Sequence, residues 1–247
     1  MSHDSTHPIS APFWIETLQP SVPDAVDFYT QLFGWTVDDI GENNQALVAR
    51  LEGLRAAGIC AGPESAPPAW LIHIRVDDVD DTLAEVLEAG GTCLLPSVER
   101  GTDGRAAVLA DPSGIAFCAN EGGIAEGVET SSQAGSWSMA SLHTPNRESA
   151  QSFYGSVFGW ELEDCLGEPF SPWSLNGQTL GLLSAGDDTP PHWAVNIAIS
   201  DADATAALVE SLGGTVFIAP FDSGDHRNVV IADPAGAVLA CSAPSDD

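Results

Sequence analysis

Glu16 and His73 are the two residues whose types suit general acid and base chemistry. Glu16 lies in Phe13-Trp14-Ile15-Glu16-Thr17-Leu18 and His73 in Trp70-Leu71-Ile72-His73-Ile74-Arg75-Val76. Both segments read as β-strands rich in aromatic and β-branched residues. A carboxylate near an imidazole favours the protonated ring and brings its proton exchange into the working range near neutral pH. Arg75 adds a cation two residues after His73, on the same strand face, and Cys118 adds a thiol further along. Two readings stand for the pair. Either they transfer protons, or Glu16 pairs with Arg75 or caps a loop while His73 is a satisfied polar residue beneath an aromatic ring.

Other chemistries lack their residues. The chain has no GxSxG, Walker loop, HExxH or GxGxxG motif in a strand-turn-helix setting. It contains no lysine, which excludes a Schiff-base mechanism. Its five cysteines, Cys60, Cys93, Cys118, Cys165 and Cys241, are an odd number with no CxxC pair, so free thiols are expected rather than a disulfide framework or structural zinc. Thirty-six acidic residues against seven arginines give a net charge of −29, which argues against nucleic acid as a partner, since affinity there comes from neutralising phosphates. No apolar run approaches the roughly 18 to 20 residues of a membrane span. The opening residues Met1 to Pro8 lack the pattern of a signal peptide, and a cytoplasmic location is expected.

The elements that carry these residues occur twice. Phe28-Tyr29-Thr30-Gln31-Leu32-Phe33-Gly34-Trp35 aligns with Phe153-Tyr154-Gly155-Ser156-Val157-Phe158-Gly159-Trp160 at an offset of 125. Pro68-Ala69-Trp70 with Pro191-His192-Trp193, Gly90-Gly91-Thr92 with Gly213-Gly214-Thr215, and Asp111-Pro112-Ser113-Gly114 with Asp233-Pro234-Ala235-Gly236 follow at 123, 123 and 122. Residues 11–121 and 136–243 are therefore two copies of one α+β unit, joined by a linker over 122–135 rich in Gly, Ser and Glu. Each copy divides into two modules of strand, helix and further strands. Ser21 is a plausible N-cap for the first helix, helices are expected near 147–158 and 202–212, and Gly90-Gly91 ends the second.

A strand, a capped helix carrying FYxxxFGW, a strand ending Val76-Asp77-Asp78, a helix ending Gly-Gly and an Asp-Pro-x-Gly turn together resemble the vicinal oxygen chelate superfamily of glyoxalases, bleomycin-resistance proteins and extradiol dioxygenases. The resemblance implies an α+β fold of four βαβββ modules that pair into two half-open barrels, each with a binding cavity inside its curl. Many relatives bind a divalent metal through His or Glu on the first strand of each module and Glu on the last. In this chain those positions fall on Trp14, Leu71 and Cys118, and on Met139, Ala194 and Ala240. None carries a carboxylate or imidazole, so no metal is expected there and no cofactor is implied. A shifted metal site on Glu16 and His73 would need Cys118 or Asn120 as third ligand, and both are poor donors for hard cations.

With such barrels, strand alternation turns Trp14, Glu16, His73, Arg75 and Cys118 into the first cavity and Met139, Ser141, His143, Asn196 and Ala240 into the other. The first cavity holds acid, base and cation, whereas its counterpart is chemically blander. Trp173, in Gly167-Glu168-Pro169-Phe170-Ser171-Pro172-Trp173, reads either as part of a loop able to lid a cavity or, as Trp14 does too, as a core residue. Arg105 and Arg227 occupy equivalent places and read as structural. Asn146 reads as a helix cap with His143 facing solvent.

The expected function is metal-independent action on a small organic molecule: cyclisation, isomerisation or elimination in small-molecule or natural-product metabolism. Glu16 and His73 are the catalytic candidates, and Trp14, Arg75, Cys118, Trp173, Met139 and Asn196 the binding candidates. The alternatives are sequestration of a drug or metabolite, and a metal-dependent lyase or dioxygenase with the shifted ligands. The chain is expected as a monomer or homodimer.

Overall fold

The computed structural model describes residues 7–39, 46–64, 66–99, 104–122, 127–131, 133–163, 165, 170–186 and 189–245. In the first repeat the order is β1 (Pro12–Gln19), α1 (Val22–Phe33), β2 (Thr36–Asp39), β3 (Ala46–Leu51), β4 (Leu54–Ala61), β5 (Ala69–Val76), α2 (Val79–Glu88), β6 (Thr92–Glu99), β7 (Arg105–Ala110) and β8 (Ala116–Glu121). The second repeats it as β9 (Trp137–Thr144), α3 (Arg147–Phe158), β10 (Glu161–Leu162), β11 (Phe170–Leu175), β12 (Gln178–Ala185), β13 (His192–Ala198), α4 (Ala202–Ser211), β14 (Thr215–Ser223), β15 (His226–Ala232) and β16 (Val238–Pro244).

Local chemistry sets the helix limits. Ser21 accepts the Asp24 amide at the start of α1 and Asn146 accepts the Ser149 amide at the start of α3, satisfying amides that have no intrahelical partner. Both helices end on a left-handed glycine, Gly34 and Gly159. Asp78 and Asp201 cap α2 and α4 in the same way.

Each repeat forms one eight-stranded sheet, ordered β2-β3-β4-β1-β5-β8-β7-β6 and β10-β11-β12-β9-β13-β16-β15-β14. The first strands of the two modules lie side by side at the centre, each parallel to the last strand of its own module. This is the strand order expected of paired βαβββ modules.

Compactness divides the chain differently. One unit comprises residues 1–14, 72–127 and 139–193, the other residues 15–71, 128–138 and 194–247. Each unit therefore joins a module of one repeat to a module of the other.

In the first unit α2 packs against α3, and Phe117 of β8 meets Phe153, Tyr154 and Phe158 of α3. The Tyr154 hydroxyl donates to Asp111 Oδ2 at 3.4 Å and accepts from the Trp193 indole at 2.9 Å. In the second unit α1 packs against α4. There the Tyr29 hydroxyl donates to Asp233 Oδ2 at 2.8 Å and accepts from Trp70 at 3.0 Å. Gln19 adds a bond to the same carboxylate oxygen at 2.6 Å. The Tyr of FYxxxFGW in each repeat thus meets the Asp of Asp-Pro-x-Gly in the other. Burial, reinforced by the carboxylate, holds both phenols protonated with pKa well above the usual value.

The Gly-Gly pair has the same logic. Gly90 and Gly213 take φ of +86° and +84°, which end the helices without a Cβ clash. At Gly91 a Cβ would lie 2.5 Å from the Ala110 carbonyl and 3.0 Å from Phe153, and at Gly214 it would lie 2.7 Å from the Ala232 carbonyl and 3.0 Å from Phe28.

Candidate functional site

Tyr29 lies on α1, so its bond to Trp70 marks the helix-covered face of β5, and the carboxylate shared by Tyr29 and Gln19 marks that face of β1. Alternation then places Trp14, Glu16 and Leu18 of β1, and Leu71, His73 and Arg75 of β5, on the opposite face. Cys118 and Asn120 of β8 are the register partners of His73 and Arg75 and share that face.

His73, Asn120 and Cys118 meet at one atom in the first unit. Asn120 Oδ1 lies 3.0 Å from His73 Nδ1 and 3.8 Å from Cys118 Sγ. Asn120 Nδ2 donates to the Gly122 carbonyl, which fixes the amide with its oxygen towards the ring. His73 therefore carries its proton on Nδ1. Arg75 donates to the His7 carbonyl at 3.0 Å.

The second repeat places different chemistry on the equivalent face. Met139, Ser141 and His143 of β9 alternate with the buried Ala140, Leu142 and Thr144. The His143 ring stacks on His192 of β13, centroids 4.8 Å apart and planes within 10°, and its Nε2 lies 3.1 Å from Ser141 Oγ. His192 Nδ1 donates to the Pro190 carbonyl at 2.7 Å. Burial, then the neighbouring His192, lowers the His143 pKa from 6.5 to about 4. In the other unit Asn196 donates to Ser242 at 2.8 Å, and Ser242 donates to Asn228. Asn196 and Ser242 repeat the positions of His73 and Asn120.

The two faces differ in access. Trp14, Glu16, Leu71, His73, Cys118 and Asn120 are all buried, with exposures of 0 to 7%. Their counterparts Met139, Ser141, Ala194, Asn196, Ala240 and Ser242 are all partly exposed. Methionine stands where the first repeat has tryptophan, and alanines where it has leucine and cysteine.

Several expectations are corrected. Trp173 is not on a lid but on β11, fully buried on the helix side, with its ring 5.8 Å from both Tyr154 and Trp160. Phe170 to Trp173 form a strand because they pair with β12; Gly167 to Pro169 lie outside the described residues. His143, expected on the inward face by alternation and towards solvent beside its cap, is half-buried and stacks on His192. The sequence separates that pair by half a repeat, and only the period-two alternation of β9 could have signalled it. Arg105 and Arg227 tie strands to helix starts by bonding Asp80 and Asp203.

The donor set at the superfamily's metal positions does not fit a divalent ion. Trp14, Leu71, Met139, Ala194 and Ala240 offer no hard donor, and Cys118 is a buried thiol. Among the described residues no group of three or more His, Cys, Asp or Glu side chains is placed to hold a metal.

Comparison with known proteins agrees with the architecture. A family model described as a glyoxalase-like domain matches residues 13–120 and again 139–241. CFP32 of Mycobacterium tuberculosis, provisionally named a glyoxylase, is 32% identical over 254 residues, covering 95% of each chain. The anthracycline biosynthesis protein DnrV of Streptomyces peucetius is 32% identical over 253 residues, covering 92% of this chain and 90% of its own. The Mn(II)-bound glyoxalase of Novosphingobium aromaticivorans shares the fold with a TM-score of 0.66 at 19% identity, over 95% of this chain and 82% of its own.

Proposed function

As the chain belongs to the glyoxalase-like family, we propose that it is a metal-independent member acting on a small organic molecule in natural-product metabolism, with Glu16 and His73 transferring protons. The observation that carries the proton-transfer reading is the orientation of His73. A base whose far nitrogen is pinned by a third group is the arrangement that proton-transfer sites need, because the pin fixes both ring direction and tautomer. The natural-product assignment is supported by the likeness to DnrV.

Glu16 and His73 are each buried, so the use of either requires its own surroundings to admit a ligand. Trp14, Arg75 and Cys118 are the neighbours a ligand would meet there, with Met139 and Asn196 serving the second repeat. Glu16→Gln and His73→Ala are expected to abolish turnover while retaining affinity. If both variants keep full turnover, the pair is structural. Elemental analysis of gently purified protein addresses the metal directly: a stoichiometric divalent ion lost in either variant would replace this reading with the shifted site.

A second reading, sequestration without chemistry, is favoured by the partial exposure of the second repeat's face, which offers hydrogen-bonding groups without an acid beside a base. Under it, the ligand raises the melting temperature with the logarithm of its concentration above the dissociation constant and is released chemically unchanged.

A further inference from the structure

We propose that Met139, Ser141, His143 and His192 form a ligand site that takes an uncharged hydroxylated aromatic molecule, its O–H donated to Nε2 of His192. The inference rests on the small-molecule function above but not on Glu16 or His73.

The atom assignments follow from the hydrogen bonds. A carbonyl oxygen only accepts, so the 2.7 Å contact with Pro190 puts the His192 proton on Nδ1. Neutral His192 then presents a lone pair at Nε2, and its ring is partly exposed. The His143 ring stacks on this imidazole at 4.8 Å, which fixes the plane the ligand meets. His143 is engaged with Ser141, whose hydroxyl rotates to donate or accept as the ligand requires.

The ligand class follows from what these groups can hold. None of these four side chains is a lysine or arginine, burial keeps His143 neutral, and a chain of net charge −29 repels carboxylates and phosphates at long range. A neutral imidazole nitrogen instead selects an O–H donor, of which a phenol is the strongest uncharged kind. Met139 supplies a polarizable thioether on the same strand face, suited to the edge of an aromatic ring. Leu182 and Ser184, register partners of Ser141 and His143, extend the surface with one apolar and one hydroxyl group. In the first repeat the positions of His143 and His192 are Leu18 and Ala69, so this chemistry belongs to the second repeat alone.

The test uses three naphthalene probes on the intact chain: 1-naphthol, its methyl ether and 1-naphthoate. Binding is read by tryptophan fluorescence, and its location by the ring resonances of the histidines. Naphthol is expected to bind about tenfold more tightly than the ether, the range one hydrogen bond supplies, and to shift the His143 and His192 signals. Naphthoate should bind more weakly than naphthol. His192→Phe keeps an aromatic ring to stack and should bring naphthol down to the level of the ether. Asp27→Asn, at an exposed position on α1, should leave naphthol binding unchanged. Equal binding of naphthol and ether, or naphthol binding indifferent to His192→Phe, overturns the inference while sparing the small-molecule function. Binding of none of the three overturns this site as well; that function itself then fails only if no organic ligand raises the melting temperature.

Discussion

His143 and Tyr29 show how burial gives ordinary side chains unusual properties. The folded protein holds His143 neutral down to about pH 4, whereas an unfolded chain protonates it near 6.5. The folded pKa is the lower, so this contribution is complete above pH 6.5 and is lost as pH falls towards 4. It is worth on the order of 3 kcal/mol. Nuclear magnetic resonance should find the His143 ring signal unmoved from pH 8 to 5, and His143→Gln should remove this part of the acid sensitivity. Tyr29, fully buried, bridges Trp70 and Asp233. Tyr29→Phe leaves both groups short of a partner and should cost about 1 to 3 kcal/mol in urea unfolding. Tyr154→Phe should cost less, since its bond to Asp111 is 3.4 Å and the second repeat has Thr144 where Gln19 reinforces the first.

At the scale of elements, the repeated landmarks are joints. A glycine pair after a helix announces a cap, and that much is legible in the chain. The second glycine has another duty: Gly91 and Gly214 let α2 and α4 lie against a sheet carbonyl and a phenylalanine of the other repeat. Gly91→Ala and Gly214→Ala are each expected to destabilise by about 1 to 3 kcal/mol, because backbone cannot yield as a flexible side chain would. Thermal unfolding of the two variants checks this. Trp173 is placed by strand pairing and not by its local sequence. Proline and glycine around it read as a loop, but pairing of β11 with β12 and a place beneath Tyr154 override that local signal.

For the whole molecule, sheets and compact units partition the chain differently. Each sheet belongs to one repeat, whereas each compact unit takes a module from both. Tyr29 and Asp111 of one repeat therefore each bond a side chain of the other, Asp233 and Tyr154. Residues 1–127 expressed alone should not fold as a monomer: sedimentation should show a self-associated species, and near-ultraviolet dichroism of any monomer should lack native tertiary signal. Mixing the two halves should restore both.

The duplication, the module order, the helix caps and the missing metal-ligand identities can all be read from the amino-acid sequence, because each depends on residue type and short spacing. Glu16 and His73 could be placed on their face for the same reason, since a strand alternates strictly. Tertiary structure alone decided that Asn120 pins His73, that His143 meets His192, and that residues buried in the first repeat have partly exposed counterparts in the second. Those outcomes depend on contacts between distant strands and on the summed volume of side chains packed together, and neither quantity is carried by any one stretch of sequence.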